Sequence, residues 1–148
     1  MTPPPDGDPF ELRRFVDAQF AIYSQVIEEL SAGRKRSHWM WFIFPQIAGL
    51  GFSAMAQRFA IGSKAEAAAY LAHEILGPRL VECTRLVMAA SEKSINEILG
   101  SPDDMKFRSS MTLFDAASKQ EIFAEALGIF YSEGRDSATL DILRTLER

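Results

Sequence analysis

Helix-start signals recur along this chain, and they constrain its fold more than any other feature of the sequence. The first is Asp8-Pro9-Phe10-Glu11, where a capping side chain precedes a proline and a reciprocating glutamate. Further capping patterns follow at Ser63-Lys-Ala-Glu66, Ser94-Ile-Asn-Glu97 and Ser101-Pro-Asp-Asp104. These signals predict that the chain is built from a series of helices.

Apolar positions near the amino terminus follow helical spacing. Between residues 12 and 30 they recur every three or four positions, and Gly33 ends the run. Charged residues such as Glu28 and Glu29 are assigned to the opposite face of this helix. Gln19 is the polar residue that interrupts the apolar stripe. An amide in such a stripe loses roughly 1–3 kcal/mol unless it finds hydrogen-bond partners, so Gln19 is either a rim position or part of a polar site.

Strand-like patterns are nearly absent. The aromatic run at residues 39–44 is short enough for a strand, but no second strand is predicted that could pair with it, which favours an extended or helical buried segment. Gly77-Pro78 predicts a break before a further helix, and Gly134 and Asp136 separate the last two helical patterns. The predicted fold is all-α, a single compact multi-helix domain of about six or seven helices without a substantial sheet.

Chain length and hydropathy favour one domain. The sequence has 148 residues and 47% hydrophobic content, enough for a sizeable core. The Pro-rich residues 1–7 are predicted to form a disordered tail, and residues 8–148 a single helical domain. The apolar stretch at residues 39–52 is interrupted by one proline and two glycines and is too short to span a membrane. We therefore expect no membrane association.

Charge and cysteine content restrict the function classes. The net charge of −4 argues against a general nucleic-acid binder, so any anion-binding site must be local. Cys83 is the single cysteine, and His38 and His73 are the two histidines, so neither a disulfide framework nor a metal site is expected. No common cofactor or hydrolase signature occurs, and we expect no cofactor. The natural compartment for such a chain is the cytosol.

The first candidate site lies in the segment RKRSHWMWFIFPQ at residues 34–46, where three cations, a hydroxyl and a histidine adjoin both tryptophans. Such a combination suggests the mouth of a pocket. The candidate ligand contacts are Lys35, Ser37, His38, Trp39, Trp41 and Gln46. The alternative is that the cations are solvated at a helix end, that His38 is a structural imidazole, and that the tryptophans belong to the core.

The second candidate site follows the predicted helix start at Ser101. Lys106, Ser109, Ser110 and Thr112 lie within seven residues of one helix. Serine and threonine are poor choices inside a helix, because their hydroxyls compete for backbone partners, so three of them need a tertiary reason. A polar pocket would provide one, and pairing of Lys106 with Asp103 is the simpler alternative.

Several segments together resemble a known family. They are RFVDAQ (14–19), GRKRSHWMWFIFPQ (33–46), GLG (49–51), EAAAYLAH (66–73), LGPRL (76–80) and DMKFRSSMTLF (104–114). The chain resembles the bacterial family catalogued as domain of unknown function 1810, some members of which carry a calpastatin label. The resemblance implies a compact helical domain and does not imply a particular reaction.

Two functional hypotheses from different classes follow. In the first, Lys35, His38, Lys106 and the hydroxyls converge with Gln19 and a tryptophan on an anionic small molecule, phosphorylated or nucleotide-like. In the second, the same motifs form a buried polar network in a structural or protein-interaction module, which could be a homodimer. A hydrolase-type enzyme with His38 as acid or base is a lesser alternative.

Overall fold

The computed structural model describes residues 7–147 and is helical. Its helices are α1 (Arg13–Phe20), α2 (Tyr23–Ser31), α3 (Met40–Ile43), α4 (Ala54–Arg58), α5 (Lys64–Ala72), α6 (Leu76–Ala89), α7 (Ile95–Leu99), α8 (Asp103–Ala117), α9 (Ile122–Phe130) and α10 (Ser137–Leu146). The predicted all-α class is therefore confirmed. Apart from Gly7, the predicted amino-terminal tail lies outside the described residues.

The predicted number of helices was wrong, because the described residues form ten. The first predicted helix is divided: α1 ends at Phe20, the Ile22 N–H donates to the Gln19 carbonyl at 3.1 Å, and α2 begins at Tyr23. The three-and-four spacing continues across this break, so the pattern alone did not reveal it. Two further helices of four or five residues, α3 and α4, account for most of the remaining difference, whereas the short helix α7 follows the predicted start at Ser94.

Two of the four capping signals, those at Ser63 and Ser94, act as the sequence predicted, whereas the predicted cap at Ser101 was wrong because Pro102 precedes α8 and no side chain caps it. The Ser63 hydroxyl accepts from the Glu66 N–H at 3.1 Å and begins α5. Ser94 and Glu97 form a complete reciprocal capping box at α7, with distances of 3.1 Å and 2.9 Å. Asp8 accepts from backbone N–H groups, but α1 itself begins only at Arg13.

Within residues 7–147 no strand is formed. The nearest approach to a sheet is one isolated parallel bridge between Ile47 and Ile61, in which the Ala48 N–H donates to the Ile61 carbonyl at 2.8 Å. The aromatic run at residues 39–44 contains the short buried helix α3. The absence of a pairing partner therefore correctly favoured a helical segment.

Helix α8 runs through the centre of the core and packs against α5, α7, α9 and α10. A series of aromatic contacts crosses it: the Tyr70 ring lies 5.1 Å from Phe15 and 5.3 Å from Phe114, and Phe114 lies 5.8 Å from Phe123. These contacts join α1, α5, α8 and α9 through fully buried rings. In the described part of the chain, no helix has both the length and the apolar character needed to cross a membrane.

Candidate functional site

A buried carboxylate, Glu29 on α2, organises the segment that contains the tryptophans. It accepts hydrogen bonds from the Arg36 N–H at 2.7 Å and from the Ser37 N–H at 2.9 Å. The Ser37 hydroxyl donates to it at 2.7 Å, the Trp39 indole N–H at 3.0 Å and the Gln25 amide at 3.0 Å. Ser37 and Trp39, two of the predicted ligand contacts, are therefore engaged by the protein itself.

The donors around Glu29 stabilise its charged form. Partial burial by itself would raise the pKa of this carboxyl, but hydrogen bonds from Arg36 and Ser37 outweigh it and lower the pKa to about 2. The prediction that Glu29 lies on the solvent face of its helix was wrong, since only 6% of the residue is exposed. The sequence did contain a signal for this role. Glu29 lies one helical turn before Gly33, and a segment rich in hydrogen-bond donors follows that glycine.

The two candidate segments meet at Asp103. The Lys35 ammonium lies 2.8 Å from one oxygen of this carboxylate, and the Lys106 ammonium lies 3.8 Å from the other. The Lys35 side chain is nearly buried, at 8% exposure, whereas that of Lys106 is 27% exposed. Two cations thus share one carboxylate, and the more accessible cation has the longer contact.

Each of these lysines also lies over a tryptophan. The Lys35 ammonium is 5.0 Å from the centroid of the buried Trp39 ring, and the Lys106 ammonium is 5.4 Å from that of the half-buried Trp41 ring. Ammonium groups at such distances are attracted by the negative face of the indole. The arrangement combines positive charge with an aromatic surface, and of the two rings Trp41 is the one accessible from outside.

Trp41 and Gln46 line a narrow crevice with Gly49, Gly51 and Phe59. The crevice has a volume of about 20 Å³, which is roughly the room that one water molecule needs. It cannot enclose a metabolite as it stands. A molecule bound here would have to lie across the outer face of Trp41 and insert a single small group.

His38 is exposed, and within the described residues its imidazole makes no hydrogen bond to the protein. Its neighbours in sequence are both engaged, Ser37 by Glu29 and Trp39 by the same carboxylate. No serine hydroxyl is hydrogen-bonded to it in this part of the chain, so the geometry does not pair His38 with Ser109 or Ser110. His73, by contrast, accepts from the Ile75 N–H at 3.1 Å at the end of α5.

Gln19 lies in a different polar cluster from the lysines. Its amide nitrogen donates to the Phe42 carbonyl at 2.7 Å and to the Tyr70 hydroxyl at 3.2 Å, and its oxygen accepts from Arg79 at 3.2 Å. The residue is 1% exposed, so these partners satisfy the amide inside the apolar stripe. Gln19 therefore joins α1 to α3, α5 and α6 rather than to Lys106.

Ser109 and Thr112 attach α8 to the start of α10. The Ser109 hydroxyl donates to the Asp136 carboxylate at 3.1 Å, and the Asp136 N–H donates to the Thr112 hydroxyl at 2.9 Å. Asp136 also caps α10 through the N–H and hydroxyl of Thr139, at 3.1 Å and 2.6 Å. Both predicted site hydroxyls are thereby engaged in a structural network, whose partner Asp136 was not identified from the sequence.

Ser110 is fully buried, and its hydroxyl has no hydrogen-bond partner within the described residues. An unpartnered buried hydroxyl loses its hydration without compensation, at roughly 1–3 kcal/mol. Replacing Ser110 with alanine should therefore raise the free energy of unfolding by about 1 kcal/mol, whereas Ser109→Ala should lower it by a similar amount. Urea denaturation of both variants checks this. A loss of stability in Ser110→Ala would show that the hydroxyl has a partner, such as a bound water.

No group of three histidine, cysteine, aspartate or glutamate side chains in residues 7–147 is arranged to hold a metal ion. The single cysteine, Cys83, is buried on α6 near the Tyr23 hydroxyl, 3.8 Å away. Burial raises the pKa of this thiol to about 12, so it stays protonated near neutral pH.

The molecule is thus a small all-helical domain in which two lysines share one carboxylate beside two tryptophans. The chain belongs to the family described as a protein of unknown function (DUF1810), whose model matches residues 9–143. It is also similar to the crystal structure of the conserved hypothetical protein Rv1873 from Mycobacterium tuberculosis, with 54% sequence identity and a TM-score of 0.91. That match covers 93% of this chain and 99% of the mycobacterial one. A search of curated proteins finds no match.

Proposed function

We propose that this domain binds a small anionic molecule, phosphorylated or nucleotide-like, where Lys106 and Trp41 reach the surface. The observation that carries the proposal is the unequal sharing of Asp103. Its carboxylate lies 2.8 Å from Lys35 but 3.8 Å from the more exposed Lys106. The cluster therefore has one positive charge in excess, located on the accessible ammonium, where an anion can pair with it.

The aromatic neighbour favours a ligand with a flat or apolar part. The Trp41 ring is half-buried and lies directly under the Lys106 ammonium. An anionic group on Lys106 would leave the rest of the molecule over the indole face, with Gln46 at the adjoining crevice. His38, exposed in the same segment, could add a donor from the side.

The predicted ligand set becomes smaller under this proposal. Lys35, Lys106, Trp41, Gln46 and His38 remain candidate contacts. Five other residues predicted for the site are hydrogen-bonded within the protein, namely Gln19, Ser37, Trp39, Ser109 and Thr112. The hydroxyl of Ser110 is buried, so a ligand at the surface does not reach it. A catalytic role for His38 with a serine nucleophile has no support in these contacts.

A second candidate function is a structural or protein-interaction module, including a homodimer. The saturation of Glu29 by five donors favours it, because the tryptophan segment is then fixed by the protein rather than by a ligand. The two candidate functions assign different roles to Lys106. In the anion-binding function it binds the ligand, and in the interaction module it makes only a weak surface ion pair with Asp103.

Thermal unfolding in the presence of inorganic phosphate, pyrophosphate and AMP tests the proposal. We expect at least one of these to raise the melting temperature of the wild type at millimolar concentration, because a ligand that binds only the folded state stabilises it. In Lys106→Ala the rise should disappear, while the ligand-free stability changes by less than about 0.5 kcal/mol, since Asp103 keeps Lys35 as its partner.

Lys64→Ala is the matched control. It removes another partly exposed lysine, at 50% side-chain exposure, which pairs with Glu147 and not with the cluster. This variant should retain the full response to the anion. If the wild type does not respond to any of the three anions, or if Lys106→Ala responds as the wild type does, the interaction module becomes the better account.

A further inference from the structure

A second cation, Arg79 on the first turn of α6, is fixed in position without a carboxylate partner in the described part of the chain. Its guanidinium lies 4.3 Å from the centroid of the Tyr23 ring, and one nitrogen donates to the Gln19 oxygen at 3.2 Å. Both partners are uncharged. The positive charge of Arg79 is therefore oriented by the protein but not neutralised by these contacts.

The orientation of Gln19 explains why Arg79 is placed so firmly. The amide nitrogen of Gln19 is used by the Phe42 carbonyl and the Tyr70 hydroxyl, so its oxygen must face the opposite way. Arg79 is the donor that meets this oxygen. The buried Gln19 amide thus binds one nitrogen of the Arg79 guanidinium. Within the described residues, the other guanidinium nitrogens have no hydrogen-bond acceptor.

Arg79 opens onto a cavity of about 520 Å³, a volume within the range of small-molecule sites. Its polar lining comes from Arg79, Arg85, Glu82 and Gln120, and its apolar lining includes Leu71 and Val81. Glu82 already accepts a hydrogen bond from the Tyr23 hydroxyl. Two guanidinium groups against one carboxylate give the cavity an excess of one positive charge.

We propose that this cavity binds a small monocarboxylate with an apolar side group. The excess of one charge matches a monoanion, and a guanidinium fork matches the two oxygens of a carboxylate. The apolar wall at Leu71 and Val81 would accept the side group. Because Gln19 and Tyr23 orient Arg79 in advance, little side-chain entropy is lost when the carboxylate binds. This site is separate from the Lys106 cluster and does not depend on it.

Titration of the full chain, labelled with ¹⁵N, with isovalerate tests the proposal. Isoamyl alcohol is the uncharged probe of similar shape, and inorganic phosphate is the alternative anion. We expect amide signals of Gly77, Val81 and Gln120 to shift saturably with isovalerate, with a dissociation constant on the order of 1–10 mM, and not with the alcohol. Saturable shifts with phosphate but none with isovalerate would overturn the proposed ligand class.

Variants of the two arginines assign the site. Arg79→Gln and Arg79→Lys should each weaken isovalerate binding by about tenfold or more, because both remove the fork. Arg85→Gln, at an exposed position, should also weaken it and remains informative if the Arg79 variants do not fold. Arg144→Gln is the matched control, since this exposed arginine pairs with Asp141 and does not line the cavity. Unchanged affinity in Arg79→Gln and Arg85→Gln, or no saturation in the wild type up to about 50 mM, would overturn the proposal.

Discussion

Glu29→Ala should destabilise the domain by about 3 kcal/mol or more. The substitution removes the acceptor of five hydrogen bonds, among them that of the Trp39 indole, whose residue is fully buried. Donors left unpaired in a buried position lose their hydration without compensation, which costs more than the net value of the bonds themselves. Urea denaturation measures the loss, provided that the free energy of unfolding depends on urea concentration with the same slope in the variant and the wild type.

Glu28→Ala is the control for this prediction. Glu28 is the preceding residue on α2, but it is exposed, so its removal should change the free energy of unfolding by less than about 0.5 kcal/mol. Equal effects of the two substitutions would contradict the role assigned to Glu29. Because the segment that Glu29 holds in place also contains Trp41, the anion response should be measured on both variants.

Measuring the free energy of unfolding as a function of pH separates the contribution of the Glu29 charge from that of its side-chain shape. Its pKa is lowered to about 2 in the folded protein from an ordinary value of 4.5, so the folded state binds this proton more weakly than the unfolded chain does. Its contribution to stability is therefore present above pH 4.5 and is lost as the pH falls towards 2. Glu29→Gln should lack this part of the acid dependence while keeping the side-chain shape.

Local signals in the sequence were enough to predict the helical class and several helix starts. Ser63 and Ser94 cap the helices that follow them, because a cap needs only the hydroxyl and the N–H three residues later. The break between α1 and α2 carries no such signal, since the apolar spacing continues through it. Short helices such as α3 depend on tertiary burial, which a periodicity argument does not contain.

The candidate site was predictable only in part, for the same reason. Clusters of unusual residues pointed to Lys35 and Lys106, and these lysines meet at Asp103. The partners that occupy the remaining predicted residues come from elsewhere in the chain: Glu29 precedes Trp39 by ten positions, and Asp136 follows Ser109 by 27. Whether a hydroxyl serves a ligand or a helix junction depends on such distant partners, and spacing along one helix does not specify them.

Gly77→Ala should be the most damaging of the small substitutions, with a loss of about 3 kcal/mol or more, because α6 begins in contact with the end of α5. A Cβ atom at Gly77 would lie 2.1 Å from the Leu71 carbonyl oxygen and 2.9 Å from its carbon. Both are backbone atoms, so no change of side-chain rotamer can relieve the overlap. The two helices would have to move apart, and the cavity that Leu71 and Gly77 line would change shape with them.

Gly128→Ala gives this prediction a control of opposite sign. Gly128 lies in α9, and a Cβ atom added to it would meet no atom within 4 Å, so alanine introduces no clash there. The gain in helix propensity should stabilise the domain by roughly 0.5–1 kcal/mol. Urea denaturation of the two variants compares one chemical change in two packing environments. A stability of Gly77→Ala within about 0.5 kcal/mol of the wild type would mean that α5 and α6 do not approach each other this closely.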